Sequence, residues 1–360
     1  MTDKKKILIV TDAWRPQING VVRSLERLAD GLTDLGFEVV MLTPQSFKTA
    51  PCPSYPEIRL ALTSPWSIRR RIEEVAPDYI HIATEGPLGI MARRAALDRG
   101  GCGFTSSYHT RFPEYVTSRW PIVPIGPIRS WLRRFHNAAL ACLVATDSLK
   151  RELESHGHDN LAFWSRGVDT ALFHPREGLD DVYADLPRPI FLNVGRVAVE
   201  KNLEAFLALD LPGTKVVVGD GPALEDLARR FPEARFLGPK VGEDLARHYA
   251  AADVFVFPSL TDTFGNVIVE ALASGLPVAA YPVMGPIDIL GGTPAGALSD
   301  DLGEAARAAL TLDPADALRR AADFEWSAAI RQFVTAIEDA QDKRRARSGM
   351  GVTKAATETV

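Results

Sequence analysis

The stretch Pro258–Pro282, PSLTDTFGNVIVEALASGLPVAAYP, concentrates the residue types that could hold a phosphorylated ligand. A strand pattern ends near Pro258, a loop carries Asp262, Phe264 and Gly265, and a helical pattern begins at Asn266 and Val267. Such a helix start offers free backbone N–H groups and the positive end of the helix dipole, which suits a diphosphate. Gly265, without a Cβ, lets the backbone approach a ligand closely. Asp262 and Glu270 lie eight residues apart, one before the helix and one a turn inside it. Glu270 is placed to accept hydrogen bonds from ribose hydroxyls, and Asp262 to reach a transferred sugar. Taken alone, the same pair also reads as a helix-terminal charge and a solvated one.

Three further clusters carry polar chemistry. In Gly195–Asn202 (GRVAVEKN), Arg196 and Lys201 follow the strand pattern Ile190–Val194. Two cations at a strand's carboxyl end can neutralise a leaving diphosphate. A divalent metal is then unnecessary, and the sequence holds no Asp-x-Asp pair to bind one. In Pro16–Val21, Asn19 and Gly20 stand between the first strand and the first helix, as a cap and a point of close approach to phosphate or sugar. This is not a G-x-G-x-x-G fingerprint, so a nicotinamide dehydrogenase gains little support. His109, in SSYHT, ends a strand pattern, where a neutral imidazole can bond a sugar hydroxyl and orient the anomeric carbon. Each cluster also has an ordinary reading, as surface charge, helix cap or structural imidazole.

Loops at the edges of parallel sheets must bring these residues together. A chain of 360 residues exceeds one α/β core, which predicts two domains. Strand patterns at Lys6–Thr11, Glu38–Thr43, Asp78–Ala83, Gly103–Tyr108 and Leu140–Thr146 alternate with helical stretches such as Val21–Leu35. The pattern restarts with Ile190–Gly195, Lys215–Gly219, Arg235–Leu237, Val254–Pro258 and Val278–Tyr281. A Pro- and Gly-containing, charged stretch, Phe173–Pro189, marks the boundary. The expected division is 1–178 and 179–325. A helical region at 315–345 follows, whose part from about 325 to 345 returns to the first domain, with a disordered tail at 346–360. In doubly wound sheets of this kind, ligands sit at the carboxyl ends of the strands.

Read in order, the pieces PQINGVVRSLERLADGL, SYHTRFPEY, RGVDTALFHP, NVGRVAVEKN, VVGDGP, AADVFVFPS and EALASGLPV resemble glycosyltransferase family 4, over nearly the whole chain. That resemblance implies a GT-B fold, two tandem Rossmann-like parallel-sheet domains with a cleft between them, and a retaining, metal-independent transfer from a nucleotide-sugar, UDP-linked by preference. No cofactor is implied. The family marks its donor site with two glutamates eight apart; here the first is Asp262, whose shorter side chain shifts the reach. By resemblance, diphosphate binding falls to Gly20, Arg196 and Lys201, and ribose binding to Glu270. Sugar contacts fall to His109, Asp262, Phe264, Gly265 and Asn266, and Asn19 and Val267 are expected in the same donor site.

Charge points to the acceptor. The chain is acidic overall, at −5, yet residues 1–178 carry a net +4 and the remainder −9. The basic excess centres on Arg59–Arg134. It includes Arg69, Arg70 and Arg71, on a short helix that Ser67 is placed to cap, and Arg93-Arg94. Trp120, the apolar run Pro121–Pro127, Trp131, Arg133 and Arg134 follow. Basic side chains interleaved with Trp and Ile suit an anionic membrane surface, though they also read as a solvated face over a core stripe. The opening and the TDTFGN loop resemble enzymes that glycosylate diacylglycerol and related mannosyl- and sulfoquinovosyltransferases. The resemblance thus implies a lipid acceptor at the inner face of the cytoplasmic membrane. A soluble or polysaccharide acceptor and a GT-B sugar-nucleotide epimerase are the alternatives. The acidic balance and the lack of a stacking platform disfavour nucleic acid. The three cysteines show no metal-ligand spacing or disulfide framework, and no apolar run approaches a membrane span.

Overall fold

The structure, a computed structural model, describes residues 4–17, 19–52, 55–98, 103–120, 122–178 and 182–347. Ile18, Pro121 and the tail from 348 lie outside them. In the first half the elements run Lys6–Val10 (β1), Gly20–Asp34 (α1), Glu38–Leu42 (β2), Thr49–Cys52 (β3), Tyr55–Ala61 (β4), Pro65–Val75 (α2) and Tyr79–Ile82 (β5). Pro87–Leu97 (α3), Thr105–Ser107 (β6), Phe112–Arg119 (α4), Ile125–His136 (α5), Cys142–Val144 (β7), Asp147–Ser155 (α6) and Leu161–Phe163 (β8) follow.

The second half restarts with Ile190–Val194 (β9), Leu203–Leu207 (α7), Thr214–Val218 (β10), Leu224–Arg230 (α8), Arg235–Phe236 (β11), Gly242–Ala250 (α9) and Val254–Phe257 (β12). It ends with Asn266–Ala273 (α10), Val278–Ala280 (β13), Met284–Leu290 (α11), Gly296–Leu298 (β14), Leu302–Ala309 (α12), Pro314–Ala321 (α13) and Trp326–Arg347 (α14).

Two six-stranded parallel sheets result, ordered β2-β1-β5-β6-β7-β8 and β11-β10-β9-β12-β13-β14. Their strands are apolar on both faces because helices cover both. In β1, Ile7 and Ile9 pack with Leu25 and Leu28 of α1 and Phe333 of α14, while Leu8 and Val10 pack with Ile68, Leu88, Ala92 and Phe135 of α2, α3 and α5. Thus α14 returns to the first sheet. The chain crosses between domains side by side: Val168 bridges Glu325, and a Cβ on Gly167 would sit 2.5 Å from the Trp326 nitrogen.

The strand order reverses direction between β1 and β5 in one sheet, and between β9 and β12 in the other. Loops leaving such a switch point diverge and leave a crevice for ligand. The loops after β9 and β12 carry Arg196, Lys201 and Asp262; the loop after β1 carries Asn19.

The structure differs from the sequence-based elements in four places. Antiparallel β3 and β4 form a hairpin that the prolines at 51 and 53 disguise. Edge strands β8 and β14 are only three residues long. The helical region at 315–345 is two helices, parted where Phe324 is buried and Glu325 bridges Val168. Ser64, not Ser67, caps α2; it accepts from the Ser67 nitrogen at 3.2 Å, and Pro65 takes the first helical position.

Candidate active site at the interdomain crevice

Gly265 caps α10 with φ +96°, a backbone conformation that side chains disfavour, and an added Cβ would meet Ile268 at 3.0 Å. This tight turn delivers Asp262 to Lys201, whose Nζ donates to Asp262 Oδ1 at 2.5 Å. Burial opposes the Asp262 charge, but the Lys201 ammonium outweighs it and holds the carboxyl below its usual range. The second oxygen, Oδ2, is buried with no hydrogen-bond partner. Arg196 is half-buried in the loop that leads to Lys201. Inside α10, Glu270 is buried; Tyr249 Oη donates to its Oε2 at 2.9 Å and Arg23 Nη1 to its Oε1 at 3.1 Å. Burial pushes the Glu270 carboxyl up, against the pull of Arg23 and Tyr249.

The first domain faces this array directly. Asn19 Oδ1 accepts from the Val21 and Val22 nitrogens, both at 3.0 Å, and so caps α1. Asn266 Nδ2 crosses the crevice to the Gly20 carbonyl and Ser24 Oγ, each at 3.3 Å. A Cβ on Gly20 would lie 3.1 Å from that nitrogen. Thr263 Oγ1 donates to the His109 carbonyl at 2.8 Å. Two helix N-termini and two cation-bearing residues therefore converge on one crevice, a polar arrangement matched to a nucleotide diphosphate. Among the described residues, no three His, Cys, Asp or Glu side chains group to hold a metal ion.

The family model described as Glycosyltransferase Family 4 matches residues 18–172, and that described as Glycosyl transferases group 1 matches 188–312. A GDP-mannose-dependent alpha-mannosyltransferase of Mycobacterium tuberculosis is 30% identical over 79% of this chain and 81% of its own length. The chain belongs to glycosyltransferase family 4. The sulfoquinovosyl transferase SQD2 of Arabidopsis thaliana is 32% identical over 76% of this chain, which spans 58% of that relative's length. An alpha-monoglucosyldiacylglycerol synthase of Streptococcus pneumoniae is 24% identical over 77% of this chain and 71% of its own. Among solved structures, a sucrose-phosphate synthase from Thermosynechococcus elongatus superposes with a TM-score of 0.75 at 20% identity, covering 96% of this chain and 100% of that one. The fold of this family 4 glycosyltransferase is GT-B.

Several site residues sit differently from their sequence-based roles. The Phe264 ring is buried in the second domain's core, 5.8 Å from Phe324 and in the same apolar cluster as Phe257 and Ile268. Val267 is half-buried and packs on the same core. Both Glu270 oxygens are engaged within the protein, and Asp262 is tied to Lys201 rather than standing free. His109 is half-buried against Trp164, ring centroids 5.8 Å apart, with Arg166 bonded to Nδ1. Arg23, Tyr249 and Arg166 went unread in the sequence.

The basic residues lie on α2, α3 and α5, which cover one face of the first sheet. Arg69 pairs with Asp98, Arg70 and Arg71 share Glu74, and Arg133 reaches the His156 carbonyl at 3.4 Å. Arg134 has no side-chain partner among the described residues; its carbonyl accepts from Arg93. Beside them stand Trp66, 70% exposed, and Ile122, 97% exposed, with Trp120 and Trp131 also exposed. No helix among the described residues is long and apolar enough to cross a membrane.

Proposed function

We propose that this family 4 enzyme moves a sugar from a nucleotide-sugar to a membrane lipid such as diacylglycerol, with retention and without a metal. The observation that carries the reading is the convergence of Lys201, Asp262 and the N-termini of α1 and α10 on one crevice. The helix termini receive the diphosphate, while Arg196 and Lys201 offset charge as the nucleotide leaves. The acceptor hydroxyl attacks the anomeric carbon on the face the nucleotide vacates, and a phosphate oxygen takes its proton. The protein contributes position and charge rather than a covalent step.

Supporting the lipid acceptor are the exposed Ile122, Trp66, Trp120 and Trp131 beside the arginines of α2 and α5. An anionic surface attracts such arginines at about 1 kcal/mol each. Names of relatives include a diacylglycerol synthase and a GDP-mannose-dependent enzyme, so the test offers both nucleotides. Purified protein receives UDP- and GDP-sugars with diacylglycerol in anionic vesicles and EDTA, and lipid products are resolved by mass. A hexosyl or uronosyl lipid is the expected result. Nucleotide release without a lipid product overturns the acceptor, and dependence on added metal overturns the charge assignment.

A further inference from the structure

We infer that Arg166 is a positioning residue that fixes the tautomer of His109, so that the imidazole offers its Nε2–H to an oxygen of the transferred sugar. This rests on the donor-site reading proposed above.

Arg166 Nη2 lies 2.9 Å from His109 Nδ1. A guanidinium carries only donors, so Nδ1 must be the acceptor and the ring proton must sit on Nε2. Burial pulls Arg166 down to about 9, which leaves it charged at neutral pH. Its place is fixed independently of His109. Nη1 donates to the carbonyls of Trp164 at 2.9 Å and Ser165 at 3.1 Å, and the guanidinium stacks 4.0 Å over the Trp164 ring. Among the described residues it has no carboxylate partner, so the imidazole lone pair is the side-chain acceptor it has.

The other groups facing His109 act in the same direction. His81 is buried between Thr105 and Ser107 hydroxyls, and His136 is held by Ser106 and Glu85. Burial first, then Arg166, His81 and His136, hold the His109 ring well below its usual value, so it stays neutral. His109 Nε2 is buried with no hydrogen-bond partner. Buried N–H groups are seldom left so, and this one belongs to a residue whose carbonyl already touches Thr263 across the crevice. A hydroxyl or ring oxygen of the sugar supplies the missing acceptor.

The test reads the tautomer directly, by ¹⁵N–¹H correlation of the imidazoles in the full-length protein, alongside transferase activity. Wild-type His109 is expected as the Nε2–H form, without titration between pH 5.5 and 8 on the scale of an ordinary histidine near 6.5. Arg166→Lys keeps a donor and the signal. Arg166→Met removes the donor to Nδ1, so the still-buried, neutral ring populates the Nδ1–H form beside Nε2–H, with turnover falling about tenfold, the lower end for loss of an orienting partner. In the site itself, His109→Gln, whose amide reaches the Nε2 position, retains more activity than His109→Asn. An Nδ1–H signal in the wild type overturns the inference, as does an unmixed Nε2–H signal in a folded Arg166→Met. If that variant does not fold, the wild-type and Arg166→Lys spectra decide. Failure of the transferase reading is distinguishable, because every sugar donor then gives no product while the Nε2–H signal persists.

Discussion

Arg23 of α1 donates to Glu270 of α10 at 3.1 Å, so the carboxylate expected to read a ribose is held by the opposite domain. A ribose diol and the guanidinium compete for the same Oε1. Removing Arg23 therefore removes a competitor. Arg23→Ala is expected to tighten binding of the free nucleotide diphosphate about fivefold, equivalent to about 1 kcal/mol for a part-exposed ion pair. Isothermal titration checks it. Weaker binding in the variant would show that Arg23 holds the nucleotide itself.

Lys201 has two consequences when deleted. Charge on the leaving phosphate loses a donor, and Asp262 loses the cation that keeps its buried carboxylate ionised. Lys201→Ala is expected to lower turnover roughly 10²–10³-fold, the scale of one preorganised charge-stabilising donor. Lys201→Arg should recover part of it. Near-wild-type turnover in folded Lys201→Ala would remove Lys201 from the mechanism.

Apolar exposure is the testable part of the docking face. Ile122 is 97% exposed and Trp131 stands on the same segment as Arg133 and Arg134. Burying a large apolar side chain is worth about 1.5–3 kcal/mol, so Ile122→Glu with Trp131→Glu should weaken vesicle binding by at least about tenfold. Sedimentation with anionic and neutral vesicles measures it. Wild-type binding should also fall as salt is raised, because the arginine contribution is screened. Unchanged sedimentation of the double variant would place the docking face elsewhere.

What the sequence disclosed was local. A glycine before a helix, an asparagine cap and cations after a strand leave signatures within a few residues, and Gly265, Asn19 and Lys201 stand where those signatures put them. Ser64 was equally legible, since Pro65 marks the first helical position, yet the basic run drew the helix start too late. Phe264 was not legible, because an aromatic residue in a polar loop reads alike whether it faces ligand or core. Arg23 and Glu270 are 247 residues apart, and nothing in either neighbourhood names the other. Arg166 opens the piece RGVDTALFHP, yet its partner His109 lies 57 residues earlier, and nothing beside either names the other.

Glu270 joins stability to function. Its carboxyl is raised by burial, with Arg23 and Tyr249 only partly offsetting that. A carboxyl whose folded value lies above its unfolded one favours the fold fully below the unfolded value. That contribution is lost as pH rises through the folded value. Above the folded value the ionised side chain therefore favours the fold less than the protonated one does. Glu270→Gln, which retains a hydrogen-bonding end without the charge, is expected to raise the melting temperature by about 2–4 °C at pH 7, the shift for roughly 1 kcal/mol in a domain of this size. The gain should shrink toward pH 4, where the native carboxyl is protonated, and nucleotide affinity should fall at the same time. Calorimetry across pH with nucleotide titration separates the outcomes. A variant that melts lower at every pH would mean that the ion pair with Arg23 outweighs the burial of Glu270.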